Sequence, residues 1–272
     1  MQLVRQPAVA GAFYPRQGQA LSSDVKNLLA AARALAAEAS AAVPKALIVP
    51  HAGYIYSGAT AAQAYARLSS VRSVIRRVVL LGPVHRVPIR GLALPDVDFF
   101  ATPLGQVEID QSAIAAISPL PQVVVSPAAH ALEHSLEVQL PFLQSVLDDF
   151  KLVPLAVGDA TPAEVAQVLE VLWGGPETLM VISSDLSHFL PTDAAQAVDL
   201  ETVQHILARE ATLTHHQACG GTPINALLLS ARQHHLHPQL LGLCNSGDTS
   251  GERDRVVGYA SFAFTPGPPH AA

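Results

Sequence analysis

The sequence predicts an α/β domain: a mostly parallel or mixed central sheet flanked by helices. Three observations carry that prediction. Apolar, strand-like runs alternate with helix-like segments through most of the 272 residues. The runs are continuously apolar rather than alternating, as in strands buried on both faces. Three of them end alike, on a polar tip: IVPHAGYIYSG (residues 48–58), VVLLGPVHR (78–86) and LMVISSDLSHF (179–189). The first two stop at a proline and deliver His51 and His85 into a loop, and the third delivers Asp185 and His188.

Taken in order, the Ala-rich LAAARALAAEASAA (residues 29–42) reads as the end of a first helix, since Ala is the best helix former. Val43 and Pro44 break it before a strand at 46–49. Residues 59–68 are helix-permissive, and 76–81 form a buried strand with its charges at the start. Pro, Gly and Asp at short spacing across 90–108 predict short strands and turns. Leu136, Leu140, Leu143 and Leu147 recur at helical period, interrupted by Pro141. A strand at 152–157 and a helix at 162–172, with Thr161 as N-cap, come next. A strand at 178–182 follows, then helices at 193–209 and 223–234. Strands at 239–243 and 255–264 close the fold. One domain therefore spans residues 1–265, and PGPPHAA (266–272) reads as a frayed tail.

Bulk properties narrow the function classes. With 16 Lys and Arg against 22 Asp and Glu, the formal charge is −6, and no dense basic run exists to hold nucleic acid. No apolar stretch approaches the ~20 residues of a membrane span, and no signal peptide is evident. Cys219 and Cys244 are too few for a disulfide framework, so a reduced, cytoplasmic protein is expected. Histidine is abundant, at 12. THHQ and QHHLHP read as surface clusters.

In open α/β sheets ligands bind outside the carboxyl ends of the strands. That rule places His51, His85, Asp185 and His188 on one edge. Two neutral imidazoles and a carboxylate suit Fe(II), Zn(II) or Mn(II). Further carboxylates lie nearby in sequence: Glu133 and Glu137 around His134, and Asp248 in NSGDTSG. A lone histidine after a strand is commonly a loop hydrogen-bonder. Three similar tips shift the reading toward one shared site.

Several of these strings resemble the Memo family, whose bacterial and archaeal members are called AmmeMemoRadiSam system protein B. They are, in order, AVAGAFYP, PHAGYIYSG, LLGPVHR, EHSLEVQLPFLQ, SSDLSHF and SGDTSG…VVGYASFAF, and the resemblance covers residues 4–264. The resemblance implies a fold similar to the catalytic subunit of class III extradiol dioxygenases, which use non-haem iron. It implies a metal at His51 and His85, with iron(II) expected and copper or zinc as alternatives. His188 falls on the acid/base histidine, with Asp185 beside it. A metal-binding animal member supplies a cysteine from its last loop, where the dioxygenases supply glutamate. Gapless counting back from Tyr259 puts Thr249 there, and Asp248 is next to it. Cys244 suits a buried apolar role. His134, Glu137 and Tyr54 are expected as pocket wall or support. Glu133 and Glu137 at i, i+4 spacing are read either as orienting the imidazoles or as capping a helix.

Three functions are compatible with these residues. The first is a metal-dependent oxidoreductase of dioxygenase-like type. The second is a binding module for a peptide or anionic small molecule in the same pocket. The third, implied by the family name, is a partner subunit for a radical-SAM protein and an Amme-domain protein.

Overall fold

The computed structural model describes residues 2–35 and 43–267. The chain begins with β1 (Val4–Arg5), α1 (Gly18–Leu35), β2 (Ala46–Val49) and α2 (Tyr54–Tyr65), which runs into a 3₁₀ turn (Ala66–Val71). Next come β3 (Arg77–Pro83), β4 (Leu92–Leu94), β5 (Phe99–Thr102), β6 (Gly105–Glu108), α3 (Gln111–Ile117), β7 (Val123–Val125) and α4 (Pro127–Ala131). A 3₁₀ turn (Glu137–Gln139) leads into α5 (Leu140–Val146), followed by β8 (Lys151–Val157), α6 (Pro162–Leu172), β9 (Thr178–Ser183) and β10 (His188–Leu190). The chain closes with α7 (Thr192–Ala208), α8 (Gly221–Gln233), β11 (Leu236–Asn245), α9 (Gly247–Ser250) and β12 (Val256–Pro266).

The large sheet is mixed, as expected. Its centre, β2-β9-β3-β8, is all parallel. β12 pairs antiparallel with β2, β10 and β11, β4 pairs antiparallel with β8, and β7 lies parallel to β4. A small sheet, β1-β5-β6, holds the N-terminus.

The central strands are apolar without interruption because both faces are covered. Leu47 and Val49 join one core with α1, α2 and α5, while Ala46 and Ile48 join a second core with α6, α7 and α8. The same alternation recurs in β3 and β9. Val78, Leu80, Leu179 and Val181 face the first core, and Val79, Leu81, Met180 and Ile182 the second.

Helix ends follow local chemistry. Thr161 caps α6 in a capping box with Glu164 and Pro162 at the first turn. Pro141 does not interrupt a helix but opens α5, where its missing N–H is not needed. α2 starts at Tyr54, earlier than the expected 59, so five of the eight residues of HAGYIYSG are helical. The Ala-rich segment belongs to α1 as far as Leu35. Its residues 36–42, and 268–272 of the expected tail, lie outside the described residues. Pro266, placed in that tail by sequence, ends β12. No helix among the described residues is long and apolar enough to cross a membrane.

Candidate metal centre

Three of the four parallel strands end at the site in the same way. His51, His85 and Asp185 each lie two residues beyond the last residue of β2, β3 and β9, which are neighbours in the order β2-β9-β3. Residues at equal offsets on adjacent parallel strands come out side by side. A third imidazole arrives from elsewhere: His134, in the loop after α4. One ligand atom from each of His51, His85 and His134 lies within 4.8 Å of the others. Their ring centroids are 5.2, 5.4 and 4.8 Å apart for the pairs 51–85, 51–134 and 85–134.

The loop carrying His134 is seated on the end of β3. Ser135 Oγ donates to Pro83 O at 2.9 Å, and Ser183 Oγ donates to Ser135 O at 2.6 Å. Gly82 permits this approach, since a Cβ there would meet Ser135 Oγ at 2.7 Å.

Each ring is oriented from behind. The Ser183 hydroxyl spends its hydrogen on Ser135 O, so towards His51 Nδ1, 2.9 Å away, it acts as acceptor. His51 Nδ1 therefore carries the proton and Nε2 has a free lone pair. Gln139 Nε2 also donates to Ser183 Oγ at 2.8 Å and to Pro50 O at 2.9 Å, holding this hydroxyl in place. His85 Nδ1 donates to Glu133 Oε1 at 2.9 Å, and the same oxygen lies 3.3 Å from His134 Nδ1. Glu133 also accepts the backbone N–H of His85, His134 and Ser135. One buried carboxylate thus fixes the His85 ring and lies beside the His134 ring, the support that ligating histidines characteristically have.

Electrostatics favour the neutral form of His51 and His134. Burial first, then the neighbouring His85, pushes His51 down to about 3. Burial and the adjacent His51 lower His134 to about 4. Burial would raise Glu133, but hydrogen bonds from His85 and from backbone N–H groups outweigh it and bring it to about 2. Three imidazole donors backed by a carboxylate fit a divalent ion such as zinc, iron or copper.

Asp185 and His188 stand beside this group. Asp185 Oδ1 accepts the His51 N–H at 2.7 Å, and Oδ2 is 3.9 Å from His51 Nε2. Burial raises the Asp185 carboxyl above its ordinary range, opposed by the His51 N–H and by the His188, His134 and His85 rings. His188 Nδ1 donates to Leu186 O at 2.8 Å, which leaves its Nε2 available. Asp199, not singled out by sequence, accepts Ser187 N at 3.0 Å and braces this turn.

Other expectations are redistributed. His134, expected as wall, sits with the ligand candidates. Asp248 and Thr249, expected to complete the metal set, are exposed in the short α9, and Asp248 is not part of the imidazole group. Asp248 Oδ2 accepts Asn245 N at 2.9 Å, and Thr249 Oγ1 donates to Ser246 O at 3.0 Å, so both serve their own turn. Cys244 lies 3.1 Å from Thr60 Oγ1, half-buried.

Glu137 does not share the task of Glu133. It accepts from Arg5, Tyr14, Ala8 N and Val9 N, and so ties down the N-terminal strap. That strap brings Phe13 to 4.7 Å from the His134 ring. Tyr54 Oη donates to Val138 O at 2.7 Å, and its ring meets Tyr14 and Phe142 beneath the site.

Sequence reasoning did not assign Ser183, Phe13 or Cys219. Of the two readings of Glu133, orienting the imidazoles or capping a helix, its contacts with the His85 and His134 rings fit the first. Beside His85 opens a groove of about 450 Å³, lined by Val84, Arg86, Val87, Ile89 and Cys219 among others.

Comparison with known proteins identifies the family. The model of the family described as Memo-like protein matches residues 5–263. A MEMO1 family protein of Archaeoglobus fulgidus is 35% identical over 96% of this chain and 99% of its own. One from Methanothermobacter thermautotrophicus is 34% identical over 96% and 100%, and one from Aquifex aeolicus 35% over 96% and 99%. Among solved structures, an uncharacterized protein of Escherichia coli K12, JW3007, overlaps 80% of this chain and 98% of its own, with a TM-score of 0.49 and 12% identity. The chain belongs to the Memo family.

Proposed function

We propose that this protein is a metal-dependent enzyme with a mononuclear centre at His51, His85 and His134, acting as an oxidoreductase of dioxygenase-like type. The observation that carries the reading is the convergence of three imidazoles whose ligand atoms lie within 4.8 Å of one another. An iron or copper ion bound there would supply Lewis acidity and redox chemistry.

The chain's own groups have distinct tasks. His51 and His85 present Nε2, because Ser183 and Glu133 occupy their Nδ1 sides. His188, anchored through Nδ1, offers Nε2 to take or return a proton. Asp185 keeps the backbone of His51 in place and supplies a second proton-holding group within the site. The groove beside His85 gives a small molecule its approach, and its Val84, Val87 and Ile89 side chains accommodate an apolar body.

The test is reconstitution of metal-free protein with Fe(II), Cu(II) or Zn(II), with metal content read by plasma mass spectrometry. One ion per wild-type chain is expected, with loss in His51→Ala and His134→Ala. Equal content in wild type and both variants, or no bound ion in any, rejects the reading.

A further inference from the structure

Cys219 is a thiol that neither the family resemblance nor the three-imidazole set uses. It lies outside the group whose ligand atoms are within 4.8 Å of one another, yet it stands against the His51 corner of that group. Its Sγ is 3.4 Å from His51 Nε2, the nitrogen left free of hydrogen by the Ser183 contact. Its other polar contacts are longer: Asp185 O at 3.6 Å and Ser184 Oγ at 3.8 Å. It also lines the groove that exposes His85. A thiol filling space would be expected among apolar neighbours. This one has an imidazole, a carbonyl and a hydroxyl within reach of its sulfur.

Its position is built rather than incidental. Cys219 N donates to Asp185 O at 3.2 Å, and Gly220 N donates to Ser184 Oγ at 2.8 Å. The segment before α8 is thereby held against the end of β9. Gly220 allows this approach, because a Cβ there would meet Ser184 Cβ at 2.7 Å and Ser183 O at 2.9 Å.

We infer that Cys219 is a ligand of the metal centre, joining the ion at its His51 corner. The inference rests on the metal-centre reading above. With metal–nitrogen bonds of about 2.0–2.1 Å and metal–sulfur bonds of about 2.3 Å, two donors on one tetrahedral ion stand roughly 3.5 Å apart. Sγ and Nε2 already have that separation. Ligation forms one sulfur–metal bond and releases the thiol proton to solvent, with no oxidant or reductant consumed. A thiolate added to imidazoles shifts preference toward copper or zinc and away from iron(II). The sulfur ligand then comes from the turn before α8, not from the loop between β11 and β12.

Cobalt(II) is the probe. Wild type, Cys219→Ser and Cys244→Ser are loaded and their absorption spectra recorded. Wild type and Cys244→Ser are expected to show ligand-field bands plus a near-ultraviolet sulfur-to-cobalt band. Cys219→Ser keeps the ligand-field bands, loses the sulfur band and binds at least about tenfold more weakly. As a check that needs no variant, cobalt should slow alkylation of Cys219 at least about tenfold while leaving Cys244 unchanged, read by peptide mass spectrometry.

Ligand-field bands without a sulfur band in wild type overturn the inference and leave the imidazole centre standing. A sulfur band that survives Cys219→Ser and vanishes in Cys244→Ser also overturns it. Absence of bound cobalt in every form removes the metal centre and the inference together.

Discussion

Glu133 grips His85 twice: Oε2 accepts its backbone N–H at 2.7 Å and Oε1 its ring Nδ1–H at 2.9 Å. The carboxylate thereby fixes both the position of the residue and the direction in which Nε2 points. Because Oε1 also faces His134 Nδ1, a single substitution disturbs two of the three rings. Glu133→Gln is expected to weaken metal binding about 10–100-fold. Competition against a chelator measures it. Unchanged affinity would show that the rings do not depend on this carboxylate.

Glu137, four residues on, affects folding more than metal binding. It is fully buried and faces the buried Arg5 guanidinium. Glu137→Ala leaves that charge without its partner and should cost about 3–5 kcal/mol, read from urea unfolding. A cost below about 1 kcal/mol would mean that Arg5 finds other acceptors.

Gly82→Ala tests the seating of the His134 loop. The added Cβ would meet Ser135 Oγ at 2.7 Å and Leu136 Cδ2 at 3.1 Å. A loss of about 1–3 kcal/mol is expected, together with weaker metal binding as His134 is displaced. Destabilisation with intact metal affinity would show that the loop adjusts without moving the ring.

Asp248→Ala and Thr249→Ala should leave metal stoichiometry as in wild type, with stability changed by less than about 0.5 kcal/mol. Both side chains are exposed. Loss of the bound ion in either variant would return the last loop to the ligand set.

Acid should destabilise the metal-free fold from a predictable point. His51 and His134 titrate at about 3 and about 4 in the folded chain, against 6.5 for an ordinary histidine. Between those values the unfolded chain binds more protons than the folded one. The contribution of these rings is therefore fully retained above about 6.5 and is lost as pH falls through that value toward 4. Urea midpoints of metal-free protein at a series of pH values check this. In His51→Ala the pH dependence should be shallower, and an unchanged slope would contradict it.

Much of the scaffold was legible from local pattern. β2 matches its expected span, and α6 matches both its span and its Thr161 cap, because burial on two faces and a capping box are local signals. β7, α3, α4 and β10 are short, and no strong periodicity announced them. The histidine tips were legible because strand, proline and imidazole are contiguous. His134 as a ligand candidate was not, because its loop reaches the site only by lying on the end of β3.

The sequence alone determined an α/β chain, the apolar strands that form its centre, and the delivery of His51, His85 and Asp185 past the ends of β2, β3 and β9. Those features depend on residues adjacent along the backbone. Only the tertiary structure decided which groups stand with them. The order β2-β9-β3 sets the tips side by side, while Ser135 on Pro83 and Ser184 on Gly220 bring in His134 and Cys219 from distant segments. Such contacts are chosen by packing and hydrogen-bond satisfaction across the whole fold, and no local spacing encodes them.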